Sequence, residues 1–582
     1  MHTIETDVLV VGAGPSGLAA TTLLAAHGVS TITLSRYSGT SPQPRALITN
    51  QRTVEVFRDV GIEDRVRAVS MPLPMLGNNV LATSFAGPEI FRYRSYGTGD
   101  RAVDYATASP CEGLNAPQHV VEPVLLAAAT ERGADVRFLH ELVQIEQTAE
   151  AVHARVCERA TGREYVIRAK YAIGADGGRS RVAEQLGFDF EGESGLKHML
   201  NLWVEVDLAE YAAHRPSVIY MIYQPGGESW VGSGSFFCIR PWNDWVLVRE
   251  YDPADGEPDT SDTAVIESVR SLTGLPNAKV RVKGVSKWHV NRMVANTYRR
   301  GRVFLAGDAA HRHPPAGGLG SNTSIQDSFN LAWKLAFVLS GRAGEGLLDS
   351  YDEERQPVGK QIVERAIQGL KNQGAAIGAL GLRRGQSSEE GWASLRELTS
   401  DADGAAERRA ALAEAVELQH YRSNALGVEL GQRYTSCAVV DDGTPFPAPE
   451  RDPVLHYQPT THPGACLPHA WVEHDRRQVS TIDLVGHGRF SLIVGIGGEP
   501  WAEAAAKISA ELAIELPIYF VGYRCEYDDV VGEWAAVREI GDRGALLVRP
   551  DRFIAWRSHG RPDSPEDALR GAIRQALNLT AD

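Results

Sequence analysis

The chain has 582 residues, of which 43% are hydrophobic, and a formal net charge of −15. A single hydrophobic core rarely organises so long a chain, so two or three domains are expected. The acidic balance, without a basic patch, argues against nucleic acid or an anionic membrane surface as a partner. No apolar run reaches the length that crosses a bilayer, which argues further against a membrane partner.

The cysteines are scattered along the chain and never form a CxxC pair. Their spacing disfavours a disulfide framework, a zinc site and a dithiol active site. The chain begins directly on an apolar strand, which leaves no room for a signal peptide. We therefore expect a cytoplasmic protein. The six cysteines are Cys111, Cys157, Cys238, Cys437, Cys466 and Cys525.

The first predicted unit is an apolar strand, a glycine turn and an Ala/Leu-rich helix within residues 6–26. The first glycine of the turn permits the tight bend, the second lets a diphosphate approach the backbone, and the third lets helix and strand pack closely. The N-terminus of the helix can also receive negative charge. This context predicts a dinucleotide-binding turn. The contacts predicted from it are Gly12, Gly14, Pro15, Ser16 and Gly17.

The second strand of the unit, residues 31–34, does not end in the Asp or Glu that usually binds a ribose. Ser35 stands at this position and Arg36 follows it. A hydroxyl can still hydrogen-bond the ribose, and Arg36 can lie against adenine or a phosphate. We expect both residues to contact the dinucleotide in place of the acidic side chain.

The pattern along the chain predicts a mixed α/β (α+β) fold with a discontinuous first domain. Residues 1–187 alternate strands and helices, as a Rossmann-like parallel sheet with crossover helices requires. Short aromatic-rich strands over residues 188–284 predict an inserted antiparallel-sheet domain for the substrate. Residues 285–370 return to the nucleotide-binding domain. Residues 371–453 predict a helical linker region, and strands and helices over residues 454–582 predict a further domain.

The most informative segment lies in the middle of the chain. An apolar strand over residues 303–306 ends on a Gly-Asp turn that presents the carboxylate of Asp308. A Pro/Gly-rich loop then leads to a helix predicted over residues 323–339, with Ser324 and Asp327 as a capping box. A carboxylate that accepts hydrogen bonds from ribityl hydroxyls would thus face a helix N-terminus that stabilises negative charge on a ring. A flavin needs both.

Together these motifs resemble the single-component flavoprotein aromatic hydroxylases, typified by p-hydroxybenzoate hydroxylase and phenol hydroxylase. Within that family they are most similar to the dichlorophenol hydroxylases. The similarity covers nearly the whole chain. Besides the two segments above, it rests on residues 171–181 (similar to the family's DG motif), 44–46 and 49–53 (the segment that covers the flavin), 117–118 and 122–123 (another flavin-contacting stretch), and 214–218 and 240–245 (the middle domain).

The resemblance implies FAD as cofactor and NADPH or NADH as a co-substrate that docks transiently. It implies that Asp308 binds the ribityl chain and that Asp176 serves flavin and pyridine nucleotide. It also implies a C-terminal thioredoxin-like domain, here without CxxC, with a packing or oligomerisation role; a homo-oligomer is expected. The implied flavin contacts are Arg45, Gln118, Asp176, Gly307, Asp308, Pro315, Gly320, Ser321 and Asn322.

The reaction implied by the resemblance is hydroxylation of a phenol-like or hydroxy-heteroaromatic ring, ortho to its hydroxyl, through a flavin C4a-hydroperoxide and with O₂ as oxidant. The substrate would be a pollutant or a natural product. Leu47 stands where the dichlorophenol enzymes tend to carry His. His311 and His313 lack a third ligand cluster, so no metal is predicted. The substrate-contact candidates are Leu47, Tyr220, Tyr223, Trp230, Phe236 and Arg240, and the catalytic candidates are Pro315 and His289.

His289 is a candidate for ionising the substrate. Strand alternation puts it on one face with Val285 and Lys287, while Trp288 takes the other face. A neutral imidazole there could accept the phenolic proton. Against this role, Lys287 on the same face indicates solvent.

Two other functions stay open at this point. A flavin-dependent halogenase or dehydrogenase would perform no hydroxylation, and the WxWxIP segment of such halogenases is absent from the sequence. A flavin-binding regulatory or interaction protein would bind FAD without oxidising NAD(P)H in response to an aromatic compound.

Overall fold

The computed structural model describes residues 2–226, 230–383 and 385–579, and the side chains of residues 230–232 lie outside that description. Its first sheet has a parallel centre, as the alternating pattern predicts, because apolar strands such as Thr3–Val11 are buried on both faces. In spatial order the strands are Arg299–Arg300, Val303–Leu305, Arg163–Gly174, Thr3–Val11, Thr31–Ser35 and Asp135–Phe138, with Val152–Glu158 and His140–Gln147 added through Arg163–Gly174. Helices Pro15–Ala26, Gln118–Glu131 and Gly320–Leu339 accompany this sheet.

The second sheet is mainly antiparallel and carries helix Asp262–Thr273 among its core neighbours. In spatial order its strands are His311–Arg312, Arg281–Ala295, Phe190–Glu205, Asp244–Tyr251, Trp230–Arg240, Ser217–Ile222, Asn78–Ala82 and Glu89–Arg94. The two strands between residues 78 and 94 lie far before the predicted boundary at residue 188. The second sheet is therefore assembled from more of the chain than the predicted insertion.

Helices connect this part of the molecule to the C-terminal domain. They are Asp349–Ala379, Ser388–Leu398, Ala405–Glu417, His420–Ser423 and Leu426–Leu430. The other short strands and α-helices within residues 2–226 are strands Ile48–Thr49, Met71–Pro72 and Leu114–Asn115 and helices Gln51–Asp59, Glu63–Ala68, Ala102–Ala108, Arg181–Gln185 and Ala209–Ala212. Among the described helices, none is long and apolar enough to cross a membrane.

The C-terminal domain is a mixed sheet flanked by helices, in agreement with the thioredoxin-like fold expected for it. Its strands are Arg477–Ser480, Trp471–His474, Tyr527–Asp528, Ile518–Gly522, Ser491–Val494, Ala545–Val548 and Ile554–Ser558, in spatial order. Its helices are Glu499–Leu512, Glu533–Val537 and Pro565–Ala576. Cys466 and Cys525 are both unpaired thiols.

Buried ion pairs fasten the C-terminal domain to the helices of the flavin-binding part. Glu354 lies 2.6 Å from Arg549 and 2.7 Å from Lys334, and Arg549 lies 2.6 Å from Asp551. These four residues, the interdomain cluster, have side chains that are at most 1% exposed. Burial by itself would raise the pKa of Glu354, but Arg549 and Lys334 outweigh it and hold that pKa well below its ordinary value.

Candidate active site

A cleft of about 1600 Å³ lies between the first two sheets and reaches the long helix Asp349–Ala379. Most of the predicted site residues line it: Gly12, Gly14, Pro15, Ser16, Ser35, Arg36, Arg45, Leu47, Gln118, Asp176, His289, Asp308, Pro315, Gly320 and Ser321. The structure places the others elsewhere: Gly17, Gly307, Asn322, Tyr220, Tyr223, Phe236 and Arg240. The side chain of Trp230 lies outside the described residues.

The glycine turn has the geometry that a diphosphate requires. A Cβ on Gly12, whose φ is +112°, would lie 2.1 Å from the carbonyl oxygen of Ala175, and one on Gly17 would lie 1.8 Å from the oxygen of Gly12. A Cβ on Gly14 would meet no atom within 4 Å, because this residue faces the cleft. Helix Pro15–Ala26 has no side-chain cap, so its first amides point at the same opening.

The end of strand Thr31–Ser35 also opens on the cleft. The hydroxyl of Ser35 accepts a hydrogen bond from the amide of Tyr37 at 3.3 Å, and Arg36 donates to the Tyr37 hydroxyl at 3.1 Å. Both side chains therefore retain hydrogen-bonding capacity toward the cleft, and their predicted contacts with the dinucleotide stay predictions.

The Gly-Asp turn is wedged between the starts of two helices. Gly307 has φ +62°, and a Cβ on it would lie 2.9 Å from the Ser324 hydroxyl and 3.0 Å from the Ser16 Cβ. Asp308 is exposed to the cleft, and its carboxylate accepts no hydrogen bond from any residue that the structure describes. The side chain is thus available for an external donor such as a ribityl hydroxyl.

The predicted capping box is wrong. The helix begins at Gly320, three residues earlier than the pattern indicates, and Leu319 at its N-cap provides no side-chain hydrogen bond. The Ser324 hydroxyl lies inside the helix and donates to the carbonyl of Gly320 at 2.7 Å. The amides of Gly320 and Ser321 consequently stand in the uncapped first turn, facing the cleft.

Asp327 holds the turn and the helix together from the buried side. It accepts hydrogen bonds from the amide of Gly307 at 3.1 Å, His311 Nε2 at 2.9 Å and Arg355 Nε at 2.9 Å. Burial would raise the pKa of Asp327, but Arg355 and His311 lower it further than burial raises it. This residue therefore supports the position of Asp308 without touching the cleft.

The two histidines of the loop have structural partners. His311 bonds to Asp327, and His313 Nδ1 lies 2.7 Å from the carbonyl of Pro314. Burial lowers the pKa of His313 to about 4, so this ring is neutral near pH 7. Among the residues that the structure describes, no group of three or more His, Cys, Asp or Glu is arranged to hold a metal ion.

Asn322 supports the flavin-covering segment from behind instead of lining the cleft. Its Oδ1 accepts from the amide of Asn50 at 2.9 Å, and its Nδ2 donates to the carbonyl of Ile48 at 2.8 Å and of Gly318 at 2.6 Å. The predicted contact between Asn322 and flavin is therefore corrected to an indirect one, because all these bonds are made within the chain.

Gln118 and Arg45 lie side by side at the cleft. The backbone amide of Gln118 donates to the carbonyl of Arg45 at 2.8 Å, and Gln118 Nε2 donates to Glu122 Oε1 at 2.6 Å.

Asp176 also faces the cleft, but both of its carboxylate oxygens accept hydrogen bonds from within the chain. Oδ1 accepts from the Ser180 hydroxyl at 2.5 Å and Oδ2 from the amides of residues 181 and 182. Burial raises the pKa of Asp176.

The second sheet presents one face to the cleft, mostly through alternate residues along its strands. This face includes Met199 and Asn201, Ser235 and Phe237, Val246 and Val248, and Ser286 and Trp288, with Ile219 on the adjoining strand; Lys287 and His289 line the cleft as well. Most of these side chains are apolar, which favours an aromatic ring and disfavours water. Leu47 lines the same cleft and packs against the same core.

Tyr220 and Phe236 occupy the opposite face, which corrects their predicted contact with substrate. Their rings lie 4.9 and 5.1 Å from the ring of Phe85, inside the core shared with Trp245. The prediction misplaced them because a one-residue change of phase moves a strand residue to the other face. Arg240 is exposed at the end of its strand, and Tyr223 is buried behind Gln373.

His289 stands at the mouth of the cleft beyond the face that carries Ser286 and Trp288. Its ring contacts His198 across the sheet at 4.6 Å, and it is exposed. Desolvation first, then His198 and Arg179, lower its pKa. His289 therefore lies at the edge of the cleft and is not part of its apolar wall.

Residues from the predicted linker complete the cleft. They are Gln373 and Arg422, joined by Leu370 at the end of the predicted nucleotide-binding domain and by Tyr96 from the first part of the chain. No sequence signal distinguishes these residues from the many charged and apolar side chains of an ordinary helical region. The strand residues Phe237 and Val246, in contrast, carry a signal in the sequence, because alternation places them apart from the residues of the opposite sheet face, but the pattern does not tell which face lines the cleft.

The fold and the cleft define a flavoprotein with an FAD-binding domain and an apolar substrate chamber. A family model described as FAD binding domain matches residues 5–366, and one described as aromatic-ring hydroxylase, C-terminal, matches residues 460–578. The chain belongs to the FAD-dependent aromatic-ring hydroxylases. It is a monooxygenase that uses FAD as cofactor and NAD(P)H as co-substrate, which confirms the expected fold class, enzyme class and cofactors.

Similar proteins cover nearly the whole chain. It is 46% identical to 2,4-dichlorophenol 6-monooxygenase of Delftia acidovorans, with 99% of each chain covered. The flavin-dependent monooxygenase PieE in complex with FAD and substrate superposes with a TM-score of 0.96 at 44% identity, covering 99% of this chain and 100% of that one. A ternary complex of aklavinone-11 hydroxylase with FAD and aklavinone gives a TM-score of 0.80 at 32% identity, with coverage of 99% and 100%.

Proposed function

We propose that the substrate is a phenol-like or hydroxy-heteroaromatic compound and that the oxygen atom enters ortho to its hydroxyl. The observation that carries this proposal is the shared cleft: an apolar sheet face and the loop that holds Asp308, Pro315 and Gly320 line the same cleft. The relative named 2,4-dichlorophenol 6-monooxygenase supports the ring position, since position 6 is adjacent to the phenolic carbon.

The residues at one end of the cleft fit FAD. Gly14 leaves open space at an uncapped helix, Asp308 offers a carboxylate, and Gly320 begins a second uncapped helix. These groups would hold the diphosphate, the ribityl hydroxyls and the ring edge, respectively. The chemistry that FAD supplies when bound is activation of O₂ after reduction by NAD(P)H, followed by transfer of one oxygen atom to the ring.

The chain itself contributes to the reaction by positioning the aromatic substrate and by excluding water from the cleft. The apolar side chains of Met199, Phe237, Val246 and Val248 would hold an aromatic ring against the loop and exclude water, which otherwise diverts reduced flavin into H₂O₂ production. The assignment of Pro315 to the reacting end of the cleft is part of this proposal, because Pro315 lines the same cleft as these side chains.

We further propose a natural-product role and a cytoplasmic homo-oligomer. The relative crystallised with aklavinone supports the first, and the unpaired cysteines of the described residues support a reducing compartment. Sedimentation of the FAD-loaded protein tests the oligomeric state, and a monomer at micromolar concentration would contradict it.

The decisive experiment is a panel of simple phenols, halogenated phenols and hydroxy-heteroaromatic compounds incubated with FAD-loaded protein, NADPH or NADH, and O₂. We expect a product heavier by one oxygen atom, with the new hydroxyl placed ortho by NMR. Measuring H₂O₂ alongside separates hydroxylation from mere NAD(P)H oxidation. Tight FAD binding with no oxygenated product from any compound would favour a flavin-binding regulatory protein or a dehydrogenase instead.

A further inference from the structure

Arg422 lies beside the loop at the reacting end of the cleft. It belongs to the short helix His420–Ser423 and lines the cleft. A Cβ on Gly317 would lie 3.1 Å from the Arg422 carbonyl oxygen, and one on Gly369 would lie 4.0 Å from the Arg422 Cγ and 3.3 Å from the Ala316 Cβ. The side chain therefore passes next to the loop that also carries Pro315.

The guanidinium of Arg422 is surrounded by neutral groups. Its Nη1 donates to Gln373 Oε1 at 3.2 Å and lies 3.8 Å from the sulfur of Met221. Gln373 Nε2 in turn donates to the Tyr223 hydroxyl at 3.0 Å, which fixes the orientation of the amide. No carboxylate of the described chain lies within ion-pair distance of Arg422, and its Nε and Nη2 donate to no described residue.

The titratable groups that face Arg422 carry no negative charge at neutral pH. Burial raises the pKa of Tyr96 and of Tyr223 to about 12, although the nearby charge of Arg422 lowers the pKa of both. From the long helix Asp349–Ala379 the facing side chain is the neutral Gln373, and from strand Ser217–Ile222 it is Met221. The fully buried arginines of the described chain, in contrast, are paired with carboxylates; Arg355, for example, lies 2.9 Å from Asp327.

A half-buried guanidinium that faces only neutral partners attracts an anionic oxygen strongly, because the surrounding apolar wall weakens screening by water. We propose that Arg422 binds the ionised hydroxyl oxygen of the substrate, so that the aromatic compound is held as its phenolate. The phenolic proton is released to solvent on binding. Charge on that oxygen makes the ortho carbons electron-rich. This inference rests on the proposed function and names the ionised form in which the substrate is recognised.

The test compares 4-nitrophenol with its methyl ether 4-nitroanisole, which cannot ionise, by titration calorimetry on FAD-loaded protein without NAD(P)H. In the wild type, affinity for 4-nitrophenol should rise with pH as the phenol ionises, while affinity for the ether stays flat. Arg422→Met should remove this rise and weaken nitrophenolate binding by about 10- to 100-fold, with ether binding unchanged. Arg422→Lys should retain part of the rise.

Arg365→Gln provides the matched control. Arg365 supports the same short helix by donating to the Tyr421 carbonyl at 3.1 Å, but it does not line the cleft. This variant should keep the full difference between phenol and ether. Equal weakening of both ligands in Arg422→Met, or loss of the difference in Arg365→Gln as well, would show a purely structural role and overturn the assignment.

The wild-type titration alone also decides. Affinity for 4-nitrophenol that does not rise with pH overturns the assignment even if the Arg422 variants fail to fold. A wild-type protein that oxygenates no phenol in the panel overturns the proposed function. A protein that oxygenates phenols but whose Arg422→Met variant keeps the pH rise overturns the role of Arg422 and leaves the proposed function standing.

Discussion

The interdomain cluster and the cleft treat charge in opposite ways. In the cluster, Glu354 meets both Lys334 and Arg549 within 2.7 Å, and the side chains are fully buried. In the cleft, neither Asp308 nor Arg422 forms an ion pair with a described residue, and most of the polar atoms of these two side chains have no hydrogen-bond partner among the described residues. Charged side chains that are paired within the chain hold its domains together. Charged side chains in the cleft that form no ion pair with the chain are available to bind a ligand.

Removing a charge from the interdomain cluster should lower the free energy of unfolding more than removing a charge from the cleft. In Glu354→Gln the cations of Lys334 and Arg549 would remain buried without a counter-charge, and we expect unfolding to become easier by about 3–5 kcal/mol. Denaturant unfolding of wild type and variant, both loaded with FAD, measures this. Loss of less than about 1 kcal/mol would mean that the cluster contributes little.

The same comparison has a pH dependence. Because the folded-state pKa of Glu354 is lowered, its stabilising contribution is fully present above the ordinary value of 4.5 and is lost as the pH falls below it. The stability difference between wild type and Glu354→Gln should therefore be constant near pH 7 and shrink in acid. A difference that grows in acid would contradict the assigned sign.

Removing the charge of Asp308 in the cleft should destabilise the fold less than removing a charge from the interdomain cluster, but it should weaken the binding of FAD. Asp308→Ala should purify largely without the yellow colour of flavin, because losing a charged acceptor weakens binding by about 1.5–3 kcal/mol. Fluorescence titration of the flavin-free protein with FAD gives the affinity directly. Full FAD occupancy with unchanged affinity would remove Asp308 from the flavin site.

The two faces of one strand sharpen the comparison between core and cleft. Phe237 lines the cleft, whereas Phe236 is fully buried on the other side. Phe237→Ala should lower the yield of hydroxylated product per NAD(P)H, because water enters the chamber. Phe236→Leu should lower the melting temperature and leave that yield unchanged, since the lost packing lies in the core. Equal yields in both variants would show that Phe237 does not bound the chamber.

The smallest effect is expected at the mouth of the cleft. His289→Phe should hydroxylate with a pH profile parallel to that of the wild type between pH 6 and 9, because His289 is exposed beside His198 and outside the apolar wall. Lost coupling at low pH that recovers as the free phenol ionises would instead restore His289 as the group that ionises the substrate.

Features encoded by neighbouring residues were predictable from sequence. The glycine turn, the apolar strands beside it and the Gly-Asp turn each have a recognisable pattern within a short segment of the sequence, and the structure has all of them. The prediction of a capping box also used a local pattern, but it was wrong. The three-residue spacing of Ser324 and Asp327 suits a helix start, whereas in the structure the Ser324 hydroxyl donates to the carbonyl four residues before it.

Features that depend on distant segments were decided only by the tertiary structure. Hydrophobic alternation along residues 235–248 identifies two faces but not which of them meets the core. In the structure, helix Asp262–Thr273 belongs to the core on one side of the sheet, and Phe237 lines the cleft on the other side. The sequence therefore determined a flavin-binding scaffold with an antiparallel sheet. Only packing brought Arg422, a residue with no local signature, beside the loop of Pro315, because a side chain's partners across 100 residues are fixed by long-range contacts and not by sequence spacing.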